Sequence, residues 1–161
     1  MAKKTEEFAK EKDVFREHIQ KAGLRRTAQR DLILEVFLRT EEHLTSEDLY
    51  WLVQKEDPTV GHTTVYRTLK LLKEGGLVDE LDLMHMQGEK HFYERRPQRD
   101  HIHMACLRCG KITEFESDLF DRLKGQIQRD CQFHIVVTRL ECGGYCSDCR
   151  TQGNPPELAT R

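Results

Sequence analysis

Two cysteine pairs, Cys106-Leu-Arg-Cys109 and Cys146-Ser-Asp-Cys149, constrain this chain more than any other feature, and 36 residues separate them. Each pair can put two thiols on one side of a tight turn. Together the four complete a tetrahedral sulfur shell that suits zinc, an ion without redox chemistry that tolerates closed geometry. The competing readings are a redox dithiol, for which one pair is enough, and reduced structural cysteines. A saturated four-sulfur site has no open position for water or substrate, so its expected role is to hold a small domain together. Cys131 and Cys142 fall outside the pattern and read as buried or free thiols, with a fifth-ligand or redox role as the alternative.

A metal staple fits the composition. Of 161 residues, 37% are hydrophobic and 34% charged, enough for two small cores but thin for a single large one. No apolar run approaches the roughly 18 residues that span a bilayer, and the chain starts with charged residues and without a signal-like apolar stretch. The expectation is a cytosolic protein with no membrane role, whose six cysteines stay reduced. The net charge of −2 does not announce a nucleic-acid binder, so any DNA contact has to come from a local basic stripe.

Such a stripe exists. Apolar residues at helical spacing predict a first helix over 6–22, stopped by Gly23, and a second capped by Thr27 with Leu32, Ile33, Val36 and Phe37 inward. A third is signalled by Thr45-Ser-Glu-Asp48 ahead of Leu49, Leu52 and Val53. A fourth occupies the stretch from Gly61 to Gly76, with Val65, Leu69 and Leu72 inward and Tyr66, Arg67, Lys70 and Lys73 outward; no acid occurs between Gly61 and Lys73. Leu77 to Leu83 and His91 to Glu94, joined through a Gly88 turn, then suit a hairpin. Four helices followed by a hairpin predict a winged helix-turn-helix. The second half predicts strands over 101–106, 111–115 and 133–141 with a helix over 117–129. The expected fold class is therefore α+β: a winged-helix domain over 1–94 with 1–7 disordered, a hinge over 95–99, a small α/β domain with the four-cysteine zinc site over 100–150, and a disordered tail over 151–161.

His101 and His103 alternate along a predicted strand and share a face, a poor arrangement for a core. Glu94 lies just upstream, and Glu114 lies on the following strand. The combination suggests a second metal site of nitrogen and oxygen donors, which would suit iron, manganese, nickel or zinc alike. His91 falls on the face opposite Glu94 and is left out.

Gly23-Leu-Arg-Arg-Thr-Ala-Gln-Arg30, Thr64-Val-Tyr-Arg-Thr-Leu69, His101-x-His-x-x-Cys-x-x-Cys-Gly110 and Cys146-x-x-Cys149 occur in order, and over roughly 8–150 the chain resembles the ferric uptake regulator family. The resemblance implies an N-terminal winged helix hinged to an α/β dimerisation domain. It implies Cys106, Cys109, Cys146 and Cys149 as ligands of a structural Zn2+. For a regulatory Fe2+, with Mn2+ or Zn2+ as alternatives, it implies His43, Glu94, His101, His103 and Glu114. It further implies a homodimer, or a tetramer, on double-stranded, A/T-rich palindromic DNA, with Tyr66, Arg67 and Lys70 of the fourth helix at the major groove and Arg25 at the minor groove. His43 enters only through the resemblance. Ile102 and Thr138 stand where the family often has ligands, which leaves a third site at Asp100 and Asp121 in doubt. Glu94, where peroxide sensors usually carry aspartate, favours iron sensing. The chain lacks H-E-x-x-H and the deaminase signature, so a zinc hydrolase is disfavoured. A zinc-stabilised protein adaptor remains the distant alternative.

Overall fold

The structure is a computed structural model that describes residues 2–40, 43–82, 91–96 and 100–151. They form two compact units, one of residues up to 82 together with 91–96, the other of 100–151.

The first unit opens with α1 (Ala2–Lys21), where Phe15 and Ile19, one turn apart, are both buried. The helix begins at Ala2, within the stretch expected to be disordered; Ala-Lys-Lys-Thr-Glu-Glu contains no glycine or proline and mostly strong helix formers. Gly23, at φ 67°, ends it in the left-handed conformation while the Leu24 amide donates to the Ile19 carbonyl at 3.0 Å. Helix α2 (Ala28–Arg39) is capped by Thr27, whose hydroxyl accepts from the Arg30 amide at 3.3 Å. Helix α3 (Ser46–Gln54) starts with a full capping box between Thr45 and Asp48. Helix α4 (His62–Glu74) buries Val65, Leu69 and Leu72 completely. Helices α2, α3 and α4 share one core with α1.

Strand β2 (Val78–Asp82) pairs antiparallel with β3 (His91–Arg95), forming the expected hairpin; the Gly88 turn lies outside the described residues. On its other edge β3 pairs with β1 (Leu44–Thr45), a two-residue strand too short to leave a pattern in the sequence. Arg95 and Arg96, assigned to the hinge by sequence, belong to this unit. Arg95 closes the β2–β3 register opposite Val78 and reaches Glu11 at 2.8 Å, and the Arg96 amide donates to Leu77. The rest of the expected hinge, residues 97–99, and the expected disordered tail beyond 151 lie outside the described residues.

In the second unit β4 (Ile102–Cys106) pairs antiparallel with β5 (Ile112–Phe115) and parallel with β6 (Leu140–Gly144), in the order β5-β4-β6. Between β5 and β6 comes α5 (Asp118–Asp130), capped by Ser117 and acidic in its first turn. The short α6 (Ser147–Arg150) follows β6. The strand expected over 133–141 starts only at Leu140, because the sheet offers residues 132–139 no neighbouring strand; Val136 and Val137 are exposed there. The unit buries few apolar side chains, chiefly Ala105, Phe120 and the thiols of Cys106 and Cys149. Its core is too small to stand alone, whereas the first unit's is well filled.

Leu69 sits at 0% exposure in the first unit's core. Leu69→Ala is expected to destabilise that unit by about 3 kcal/mol, the usual cost of an unfilled leucine site, read as a lowered midpoint in urea denaturation.

Candidate metal centres

The sharp turn after β4 carries Cys106 at the strand end and Cys109 at the tip, returning through Gly110 at φ 75°. The Gly110 amide closes the turn on the Cys106 carbonyl at 2.9 Å. Cys146 and Cys149 bracket the first turn of α6, and the parallel β4–β6 register, with Cys106 opposite Gly144, brings that turn beside the first pair. All four sulfurs lie within 4.8 Å of one another, and Cys109 Sγ is 3.8 Å from Cys146 Sγ. A tetrahedron with zinc–sulfur bonds of about 2.3 Å has edges of about 3.8 Å, so the thiols are spaced for zinc. Arg108 braces the cluster by donating to the Cys149 carbonyl at 2.7 Å while lying over the Tyr145 ring.

The electrostatics favour a dication. Backbone amides of Cys146 and Cys109 donate toward the Cys106 sulfur and bring its pKa down to about 6, while burial and the neighbouring sulfurs push Cys149 up to about 12. Four crowded thiols cannot all ionise by themselves. A bound dication reverses that balance, so metal uptake releases protons.

Imidazole and carboxylate donors occur in both units. In the first, the β1–β3 register sets Leu44 opposite Tyr93 and so carries residue 43 alongside Glu94; His43 Nε2 lies 3.1 Å from Glu94 Oε2, both side chains nearly buried. In the second, His103 is paired across β4–β5 with Glu114, and the Nε2 atoms of His101 and His103 converge to 2.9 Å. Two ligands about 2.1 Å from one ion and at right angles to each other stand about 3 Å apart, so these imidazoles are placed to share an ion. Glu114 Oε1 is 4.0 Å from His101 Nε2. His43 left no signal in the sequence because β1, which positions it, is only two residues long.

Other carboxylates already have cations. Lys124 bridges Asp100 and Asp121, at 2.7 Å from the latter, so an ammonium occupies the place where a third metal ion was in question. Glu80 gathers Lys73, the Tyr93 hydroxyl at 3.1 Å and His91 Nδ1 at 3.4 Å; burial raises its pKa, but these donors outweigh that and hold it below the usual range. Lys73 is thereby tied to the hairpin. Cys131 is exposed at the end of α5, and Cys142, also exposed, lines a cleft of about 420 Å³ together with Cys106 and Cys146.

Along α4 the outward side chains Tyr66, Arg67 and Lys70 are exposed, Tyr66 at 53%. Arg25 is exposed in the α1–α2 loop, whose carbonyl at Arg25 accepts from Arg30. No helix among the described residues is long and apolar enough to cross a membrane.

A winged helix whose outer face carries no acid as far as Lys73, on one chain with a four-thiol cluster and imidazole–carboxylate donors, defines a metal-responsive regulator. The model of the ferric uptake regulator family matches residues 21–143, and the chain belongs to that family. The chain is 36% identical over 137 residues to the ferric uptake regulation protein of Campylobacter upsaliensis, covering 84% of this chain and 86% of that one. The ferric uptake regulator of Helicobacter pylori, described as having three functional metal-binding sites, superposes with a TM-score of 0.79 over 89% of this chain and 93% of its own; at 24% identity it speaks for the fold alone. The ferric uptake regulator of Francisella tularensis, determined with iron, gives a TM-score of 0.69 at 29% identity, covering 80% and 96% of the two chains.

Cys149 contributes one of the four converging sulfurs, and few other groups fill the second unit's core. Cys149→Ser is expected to be purified with little zinc and to lose the second unit's thermal transition while keeping the first unit's, as measured by elemental analysis and calorimetry.

Proposed function

We propose that this chain is a cytoplasmic, iron-sensing transcriptional repressor that acts as a homodimer on double-stranded, A/T-rich palindromic DNA. Cys106, Cys109, Cys146 and Cys149 would hold a structural Zn2+. His43, Glu94, His101, His103 and Glu114 would supply the regulatory site, for which Fe2+ is the working ion and Mn2+ or Zn2+ are competitors for the same donor types.

The observation that carries this reading is the division of donors. One unit offers His43 and Glu94; the other offers His101, His103 and Glu114. Neither set alone is a full shell for a first-row metal. An ion that takes donors from both sets would tie the DNA-binding unit to the dimerising one. A tenfold change in the DNA-competent population needs only about 1.4 kcal/mol of differential metal affinity, well within the worth of one ligand. Membership of a family whose relatives are named for ferric uptake, and the iron-bound Francisella structure, favour iron.

Dimerisation is supported by the second unit's unpaired surface. Leu119, Leu123 and Ile127 form an exposed stripe on α5, and Phe133, Val136 and Val137 are exposed before β6. Apolar exposure on this scale suits a second copy of the same chain. On DNA, Tyr66 would meet thymine methyl groups, Arg67 phosphate or guanine, Lys70 phosphate, and Arg25 the narrow minor groove.

The test is an anaerobic titration of the zinc-loaded protein with Fe(II), Mn(II), Zn(II) and Ni(II), following anisotropy of a labelled A/T-rich palindrome. Fe(II) is expected to raise affinity at least tenfold; His43→Ala, still folded and zinc-loaded, is expected not to respond. If DNA binding is indifferent to every metal, the donors are not regulatory. If no duplex binds in a salt-sensitive, sequence-selective way, the chain is an adaptor instead.

A further inference from the structure

Tyr66, Arg67 and Lys70 stand in the second and third turns of α4. The first turn, which in helix-turn-helix proteins meets the base edges most directly, presents other side chains. Val65 is fully buried there and, with Leu69 and Leu72, fixes the helix about its own axis. That leaves His62 and Thr63 exposed, and His62 lies one turn before Tyr66 on the same face. Gly61, the N-cap, has no side chain to fold back over this turn.

The His62 ring has a defined neighbour. Its centroid lies 5.2 Å from that of Tyr50 on α3, at an interplanar angle of 59°, and Tyr50 is itself partly buried against the hydrophobic core. An exposed imidazole held by a ring that the core holds is a preorganised group. A solvated helix terminus needs no such support.

Resting on the DNA-binding reading above, we infer that His62 is a base-reading residue of α4, positioned by Tyr50, and that it selects guanine in each half-site. The chemistry is direct. A neutral imidazole carries one N–H donor, and guanine presents two adjacent major-groove acceptors, N7 and O6, so that one donor finds a partner over a range of ring angles. Adenine keeps N7 but puts an N6 donor in place of O6, cytosine presents only its N4 donor, and thymine has one acceptor, O4, beside its C5 methyl group, so guanine alone offers the donor two adjacent acceptors. Thr63 discriminates less, since its hydroxyl serves phosphate and base alike.

The experiment selects bound duplexes from a randomised double-stranded DNA pool with the zinc- and iron-loaded full chain, comparing wild type, His62→Ala, Tyr50→Ala and Tyr50→Phe by sequencing. Wild type is expected to favour guanine about fivefold or more at one symmetry-related pair of positions. His62→Ala should flatten that pair alone and leave the rest of the palindrome intact. Tyr50→Ala should flatten the same pair, and Tyr50→Phe, which keeps the ring, should restore it. An unchanged selected sequence in His62→Ala, or an even loss across all sequences, overturns the assignment and makes His62 at most a backbone contact. A wild type that selects no sequence overturns the DNA-binding reading itself, and is distinguished from the first failure because no variant is needed to see it.

Discussion

The second unit depends on one electrostatic fact: four sulfurs lie within 4.8 Å of one another in a domain with almost no other core. Without a cation their charges exclude one another: backbone amides hold Cys106 down to about 6, while burial first, and the neighbouring sulfurs after it, push Cys149 up to about 12. A dication turns the same crowding into cohesion. Because the cluster joins the turn after β4 to the start of α6, it ties the two ends of the unit's chain path across the sheet, work that burial of aliphatic side chains does in the first unit.

That division of labour explains why two kinds of donor set occur on one chain. A closed sulfur shell is suited to permanence, since it offers no open position and soft ligands that favour zinc. Imidazole and carboxylate donors bind first-row metals with smaller preferences among them, which suits an ion that has to come and go. Placing His43 and Glu94 on the β1–β3 pair, and His101, His103 and Glu114 on the β4–β5 pair, gives each unit a rigid presentation of an incomplete shell. Under the proposed mechanism, incompleteness is the functional property: a shell complete in either unit would bind its ion without consequence for the other.

Much of this was legible in the sequence, and the reasons differ from element to element. The CxxC pairs are recognisable because both ligands of a pair sit on one local turn. His101 and His103 are visible because strand alternation puts them on one face, and α4 is visible because its buried Val65, Leu69 and Leu72 alternate with an outer face that holds no acid before Glu74. His43 was hidden because its position depends on a two-residue strand whose partner lies about 50 residues away, and such pairing carries no local periodicity. The strand expected over 133–141 failed for the opposite reason. Residues 133–137, Phe-His-Ile-Val-Val, have strand propensity, but propensity does not supply a neighbour, and among the described residues the sheet ends at β6.

The same distinction between local pattern and acquired partner separates the basic residues that the proposed function would bring to DNA. By sequence, Arg30, Lys70 and Lys73 are equivalent cations on helix surfaces. In the fold, Arg30 donates to the Arg25 carbonyl and braces the loop that presents Arg25, and Lys73 is bound to Glu80, which also receives Tyr93. Arg30, on α2, thus braces the α1–α2 loop and Lys73, at the end of α4, ties that helix to β2, while Lys70 stays exposed on α4. Under the proposed function, a short basic stripe on a chain of nearly balanced charge makes binding depend on placement, because a net charge of −2 gives no general attraction to a polyanion.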